Sequence, residues 1–356
     1  MPQLTMIDLF AGVGGLSLGF ERVGFKVVLA NEFDPSIAEA YIRNRDHPNM
    51  IVEDIRKLPV RETFGQFKGK VTVVVGGPPC QGYSQKGQRK TIHDERNFLF
   101  RYFVDVVREV EPDYFVMENV PNLLTNEGGF FKRELISLFE GIGYTVNADV
   151  LCASDYGVPQ DRRRAFVIGR RGGGDPVAMP AHHTERVTIW DAISDLNYLN
   201  SGEGAEEQDY LLPPQTPYQR MLRQGSDKLT GHISTNHSKI ALERMAMIPP
   251  KGGKEYLPPE HLTKSIYSGT WVRMDADDVS VTITTRFDTP ASGRFTHPYL
   301  NRAITVREAA RIQSFPDTFH FFGTKSSQMK QVGNAVPPLL AQSVAETILC
   351  DMQKRG

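Results

Sequence analysis

The run Val71-Thr72-Val73-Val74-Val75, followed at once by Gly76-Gly77-Pro78-Pro79-Cys80-Gln81-Gly82-Tyr83-Ser84, constrains this chain more than any other stretch. Five β-branched residues in a row read as a short buried strand of an α/β sheet. In an open α/β sheet, ligands bind outside the carboxyl ends of the strands. The strand therefore delivers Cys80 to the edge where chemistry happens. Two prolines stiffen the backbone before the thiol, and the flanking glycines let another molecule approach closely. A free cysteine is more often a small core residue. A core residue, however, has no use for Pro-Pro before it and Gln-Gly after it. Cys80 is read as a nucleophile.

At 356 residues the chain can hold two domains of ordinary size. Its three cysteines, Cys80, Cys152 and Cys350, lie far apart and form neither a disulfide framework nor a zinc pattern, so no metal is expected. A reducing, cytoplasmic setting follows and keeps Cys80 as a thiol. Asp8 interrupts the short apolar run at the N-terminus, which argues against a signal peptide, and no stretch has the length of a membrane span. A formal charge of −1 argues against indiscriminate coating of polyanions. Specific nucleic-acid binding needs only a local basic face and stays open.

Residues 4–9 form a second strand candidate, which runs into Phe10-Ala11-Gly12-Val13-Gly14-Gly15 and then a helical apolar period through Leu16, Leu18 and Phe20. Strand, glycine turn and helix bring backbone close to a nucleotide cofactor in Rossmann-like folds. The next strand, 27–30, ends at Asn31-Glu32, an acid suited to ribose hydroxyls. Asp54-Ile55 follows a third apolar stretch and suits an adenine edge. Together these indicate a nucleoside cofactor without saying which.

The α/β rhythm continues with a helix over 97–110, a strand over 114–117 ending in Glu118-Asn119-Val120-Pro121, a helix near 131–142 and a strand near 145–151. Gln160-Asp161-Arg162-Arg163-Arg164 then leads into a strand over 165–169. From about 186 to 298 the rhythm is lost in favour of Pro, Gly, Ser and Thr. There Trp271 and the alternation over 279–284 indicate a packed, mostly irregular or β domain. The break in rhythm divides the chain into one expected domain over 1–185 and a second over 186–298, with the helical pattern returning afterwards.

Motifs standing in order now carry a resemblance. Asp8 to Gly15, Gly77-Pro78-Pro79-Cys80-Gln81, Glu118-Asn119-Val120, Gln160-x-Arg162-x-Arg164, Arg307-Glu308-Ala309-Ala310-Arg311-Ile312-Gln313 and Gln331-Val332-Gly333-Asn334 resemble the DNA cytosine-5 methyltransferases of bacterial restriction–modification or orphan type. The resemblance spans nearly the whole chain except the middle of the irregular region. It implies a Rossmann-like fold, S-adenosyl-L-methionine as methyl donor and a cytosine flipped out of double-stranded DNA. It also implies a catalytic and cofactor-binding domain over 1–185 completed by 326–356, a target-recognition domain over 186–298 and a hinge over 299–325. It further implies that the Cys80 thiolate adds to cytosine C6, that Glu118 stabilises charge developing toward N3, and that Arg164, supported by Arg162, holds the pyrimidine carbonyl. Asn119 orients Glu118 or its loop. On the cofactor side the resemblance places Phe10, Ala11, Gly12, Gly14, Gly15, Glu32, Phe33, Asp54, Ile55, Pro78, Leu99, Asn334 and Ala335, with Phe33 where relatives often carry tryptophan. Gln81, Ser84, Arg286 and Arg294 are expected to contact DNA. A monomer, and a cognate restriction endonuclease acting on the same site, are expected as well. A tRNA cytosine-5 methyltransferase on the same scaffold, a nicotinamide oxidoreductase and a non-catalytic DNA-binding regulator are the competing readings. The last two leave Pro-Pro-Cys and Glu-Asn-Val without a role.

Overall fold

The computed structural model describes residues 3–79, 99–183, 185–262, 264 and 268–355. The first half alternates strands and helices: β1 (Thr5–Leu9), α1 (Gly15–Arg22), β2 (Lys26–Glu32), α2 (Pro35–Arg43), β3 (Met50–Val52), α3 (Val60–Phe64), β4 (Val73–Gly76), α4 (Leu99–Val110), β5 (Tyr114–Asn119), α5 (Asn122–Thr125), α6 (Phe130–Glu140) and β6 (Tyr144–Cys152). β7 (Gln160–Asp161) and β8 (Arg163–Arg171) follow. By compactness the chain divides into one unit of Met1–Tyr156, Arg163–His182 and Pro338–Gly356, and another of Gly157–Arg162 and His183–Pro337. These bounds differ from the expected ones: residues 157–162 and 299–337 fall in the second unit together with 186–298.

Among the described residues, the first unit is built on a seven-stranded sheet in the order β3-β2-β1-β4-β5-β8-β6. β3, β2, β1, β4 and β5 run parallel, whereas β8 enters antiparallel between β5 and β6. Val73, Val74 and Val75 are wholly buried, as a central strand covered on both faces requires. From β1 the chain goes out to β2 and β3, then returns to β4 on the other side of β1. The strand order thus reverses between β1 and β4, the position at which such sheets bind ligands. Because β8 runs the opposite way, its first residues lie beside the last residues of β5, with Asn119 opposite Ala165. The strand is longer than the expected 165–169, so Arg163 and Arg164 belong to it.

The sheet is covered by aromatic and aliphatic side chains. Phe115 stacks on Phe139 with ring centroids 3.9 Å apart, and the Phe115 ring occupies the space a Cβ of Gly169 would need. α12 (Pro338–Gln353) packs against α1. The approach is close enough that a Cβ on Gly19 would come within 2.6 Å of the Pro338 carbonyl oxygen, so only glycine fits there.

The second unit contains α7 (Ile189–Ile193), β9 (Gly204–Gln208), α8 (Pro217–Arg223), β10 (Leu229–Ile233), α9 (Lys239–Met247), β11 (Ser280–Val281), α10 (Val306–Ile312) and α11 (Lys325–Asn334). It is largely irregular, and the three α-helices among the described residues between 186 and 298 were not anticipated. The alternation over 279–284 yields only a two-residue strand. The reason lies in side-chain competition: Gln160 Oε1 accepts from the Ile283 N–H at 2.8 Å, while Arg162 donates to the Ile283 carbonyl at 3.1 Å. Residues 299–325, expected as a hinge, do not read as an unpacked linker. Arg302, Arg307 and Arg311 are at most 1 % exposed. Arg302 pairs with Glu308 through two 2.7 Å bonds, and Arg311 reaches Asp317 at 2.6 Å. Removing one partner of such a buried pair typically costs about 3–5 kcal/mol.

Two histidines sit in this network. His297 Nδ1 accepts from the N–H groups of Tyr299 and Leu300, each at 3.1 Å, which puts its proton on Nε2. His232 Nε2 donates to the Asn197 carbonyl at 2.8 Å, leaving Nδ1 to accept from Thr305 Oγ1. Burial drives both rings toward the neutral form, His232 down to about 4 and His297 down to about 3. The unfolded chain takes up these protons first, so the contribution to stability is complete above about pH 6.5 and lost as the pH falls toward 4. Both rings are expected to remain neutral at pH 5.5 when followed by NMR. A ring titrating near 6.5 would contradict the assignment.

Candidate active site

Two groups of side chains gather at the carboxyl edge of the sheet in the first unit. The first surrounds the ends of β4 and β5. Glu118 occupies the penultimate position of β5, and the antiparallel entry of β8 sets Arg164 beside it. The Arg164 Nε lies 2.9 Å from Glu118 Oε1, with the two side chains only 17 % and 12 % exposed. Gly77 leaves room for this carboxylate, since a Cβ there would lie 2.8 Å from Glu118 Oε2. Asn119 serves the neighbouring loop. Its Nδ2 donates to the Pro78 carbonyl at 2.7 Å, and its Oδ1 accepts from the Val120 N–H at 2.9 Å. The loop that leads to Cys80 is thereby anchored to β5 two residues before the cysteine. Pro78 is buried and Pro79 exposed. Cys80 itself, with Gln81 and Ser84, lies outside the described residues.

The second group surrounds the ends of β1 and β2. Phe10, Gly12 and Gly14 have φ of 57°, 57° and 88°, so the chain reverses through left-handed conformations that favour glycine. The Ala11 N–H donates to the Asn31 carbonyl at 2.9 Å, which ties the turn to β2. Glu32 closes the arrangement: its Oε2 accepts from the Gly12 N–H, and its Oε1 accepts from the N–H groups of Phe33 and Asp34, all at 2.9 Å. The carboxyl is 6 % exposed, and burial raises its pKa against the pull of these three donors. Phe33, next to it, is 67 % exposed. An acid held by backbone donors beside an uncovered aromatic ring suits a nucleoside, with hydroxyls on the acid and a base on the ring.

The remaining candidates divide. Ala11, Gly14 and Gly15 are buried within the turn and the first residue of α1. Leu99 opens α4 and packs on the sheet core. Asp54 caps the turn after β3 and pairs with Arg56, whose hydrogen bond lowers the acid's pKa, while Ile55 is buried in the core. Arg162, Asn334 and Ala335 belong to the second unit. Arg162 is 1 % exposed and donates to the carbonyls of Ile283 and Gly333 at 3.1 and 2.8 Å, contacts that brace the segment before Asn334. Arg286 and Arg294 are exposed in the same unit. Sequence reasoning gave no role to Asn31 or to the Gln160–Gln313 pair. The Asn31 side chain bonds the carbonyls of Ile51 and Glu53 at 3.0 and 2.8 Å and so ties β2 to the segment carrying Asp54. Gln160 Nε2 donates to Gln313 Oε1 at 2.8 Å. Both glutamines stood in recognised motifs, but 153 residues separate them.

A family model of C-5 cytosine-specific DNA methylases matches residues 4–350. The chain belongs to this family. The methylase is 39 % identical over 350 residues to a Type II methyltransferase, M1.HphI, of Haemophilus parahaemolyticus, covering 98 % of this chain and 87 % of that protein. It is 38 % identical over 382 residues to the Type II methyltransferase M.XorII of Xanthomonas oryzae pv. oryzae, covering 100 % and 87 %. Among solved structures, a DNA modification methyltransferase encoded within an E. coli prophage superposes with a TM-score of 0.79 at 30 % identity, over 99 % of the methylase and 100 % of that chain. The Dnmt2 methyltransferase of S. pombe, at 16 % identity and a TM-score of 0.58, shares the fold over 98 % and 99 %. The methylase is an enzyme of the kind found in restriction–modification systems. Among its described residues, no helix is long and apolar enough to cross a membrane.

Proposed function

We propose that this methylase transfers a methyl group from S-adenosyl-L-methionine to C5 of a cytosine extruded from double-stranded DNA, through a covalent adduct at Cys80. The observation that carries the reading is the Glu118–Arg164 pair, set at 2.9 Å beside the loop that Asn119 anchors through Pro78. Cytosine C5 is a poor nucleophile. Addition of the Cys80 thiolate to C6 forms an S–C6 bond and moves the displaced electron pair toward N3. A carboxyl at Glu118 stabilises that nitrogen by sharing a proton, and Arg164, ion-paired with it, takes the ring carbonyl and holds the acid in register. C5 is then electron-rich enough to take up a methyl group. A base removes the C5 proton, the C5–C6 double bond re-forms and Cys80 departs.

The donor supplies an electrophilic methyl group on a sulfonium centre. Its ribose fits the Glu32 carboxyl, its adenine fits the exposed face of Phe33, and the glycine turn after Phe10 leaves space for the remainder. By the family resemblance Asn334 and Ala335 are assigned to the donor, and residues 186–298, with Arg286 and Arg294, are proposed to choose the DNA sequence. Extrusion of the base costs a few kcal/mol, which specific contacts have to offset. Labelled S-adenosylmethionine incubated with duplex DNA or with tRNA, followed by mapping of the methylated cytosines, tests the reading. Label confined to DNA at one short sequence is expected, and exchanging residues 186–298 for those of a relative should change that sequence. Label in tRNA alone would overturn it.

A further inference from the structure

Beneath the glycine turn lies a polar cluster that the reaction itself does not use. Asp8, 1 % exposed at the end of β1, accepts from Ser17 Oγ at 2.5 Å, and Ser17 Oγ is 3.0 Å from the Tyr41 hydroxyl. The Arg45 guanidinium lies 3.8 Å above the Tyr41 ring, donates to the Gly14 carbonyl at 3.1 Å and grips both oxygens of Glu21 at 3.0 Å. Its side chain is 9 % exposed, so these contacts are made out of bulk water. A Cβ on Gly14 would come within 2.6 Å of Arg45 Nη2 and 2.7 Å of the Tyr41 ring, so the guanidinium sits directly under the turn.

We propose that Arg45 is a positioning residue for the methyl donor, bracing the Gly12–Gly14 turn from α1 and from the residues just after α2. The reasoning is mechanical. Gly12 and Gly14 have wide conformational freedom, which lets backbone approach a ligand but leaves the turn to be held from outside. The turn's upper side is held by Glu32 at the Gly12 N–H, and its lower side by Arg45 at the Gly14 carbonyl. A planar guanidinium can grip a carboxylate with one fork and a carbonyl with another N–H, which lysine's single ammonium cannot do at once. The bond at Gly14 is charge-assisted and shielded, so its loss loosens the surface that the donor rests on.

The inference rests on the reading that this turn binds S-adenosylmethionine, and titration calorimetry with S-adenosylhomocysteine separates the two. Wild-type enzyme that binds no S-adenosylhomocysteine would overturn the reading of the site. If wild type binds, Arg45→Met is expected to raise Kd about tenfold, the scale of one lost charge-assisted hydrogen bond. The single-turnover rate at saturating donor should stay within about twofold, and amide exchange at residues 12–14 should speed up. Arg45→Met combined with Glu21→Gln should bind as weakly as Arg45→Met alone. Recovered affinity in that double variant would trace the defect to an unpaired carboxylate and overturn the inference, as would an Arg45→Met enzyme with wild-type Kd. Should Arg45→Met fail to fold, Glu21→Gln alone frees the guanidinium and is expected to raise Kd about threefold, with no change counting against the proposal.

Discussion

Replacing Cys80 by serine is expected to abolish methyl transfer, by at least about 10³-fold, while leaving S-adenosylhomocysteine affinity intact. The hydroxyl of serine is far less acidic than a thiol and a poorer nucleophile, so the addition to C6 that activates C5 is lost. The group at Gly12, Glu32 and Phe33, proposed to hold the donor, is built from the ends of β1 and β2, not from the loop after β4, which is why binding should survive. The anchoring of Pro78 by Asn119 strengthens the expectation, because that bond does not involve the cysteine side chain. A duplex carrying 5-fluorocytosine should trap the wild-type enzyme in an adduct stable to denaturant. Fluorine takes the place of the proton that must leave C5, so Cys80 cannot be eliminated. A serine variant with full activity would remove Cys80 from the mechanism.

Glu118→Gln is expected to slow the chemical step by about 10²-fold or more with little change in donor affinity. Glutamine keeps the shape and can still accept from Arg164, but it can no longer share an acidic proton with N3. It also removes the negative charge that the Arg164 guanidinium, only 17 % exposed, faces at 2.9 Å. Single-turnover measurements at saturating donor isolate this step from binding and release. A variant that lost S-adenosylhomocysteine and kept its single-turnover rate would assign Glu118 to the cofactor site instead.

Much of the first unit could be read from the chain because its signals are local. The valine run of β4, the apolar 114–117 stretch and the glycine turn after residue 9 each state their element within a few residues. Positions that end such runs, Glu32 and Glu118, were legible for the same reason: a carboxylate at the close of a buried strand is a rare arrangement. Legibility failed where meaning depends on distant partners. Arg162 read as support for the substrate, yet its described bonds go to carbonyls 121 and 171 residues away. Arg45 offered no sign of its grip on Gly14, because the 31 residues between them close only through the fold. The buried Arg307 and Arg311 stood in a motif without an assigned partner, and Arg302 carried no signal at all. Only the positions of Glu308, Asp317 and Asp195 reveal them as the polar centre of the second unit. Asn119 falls between the two cases. A role in orienting Glu118 or its loop was expected, whereas the atom it holds, the Pro78 carbonyl, is reached only because β4 pairs with β5.

The pairing of α1 with α12 has a consequence for how the enzyme is made. Translation runs from one end of the chain to the other, and α1 emerges early. The helix that covers its Gly19 face is encoded only after the whole of 183–337. At ~5–20 residues per second, that stretch alone occupies a ribosome for on the order of 10 s. During this interval α1 exists without the helix that packs against it. A half-made chain therefore cannot close its first unit until residues 338–353 have left the ribosome.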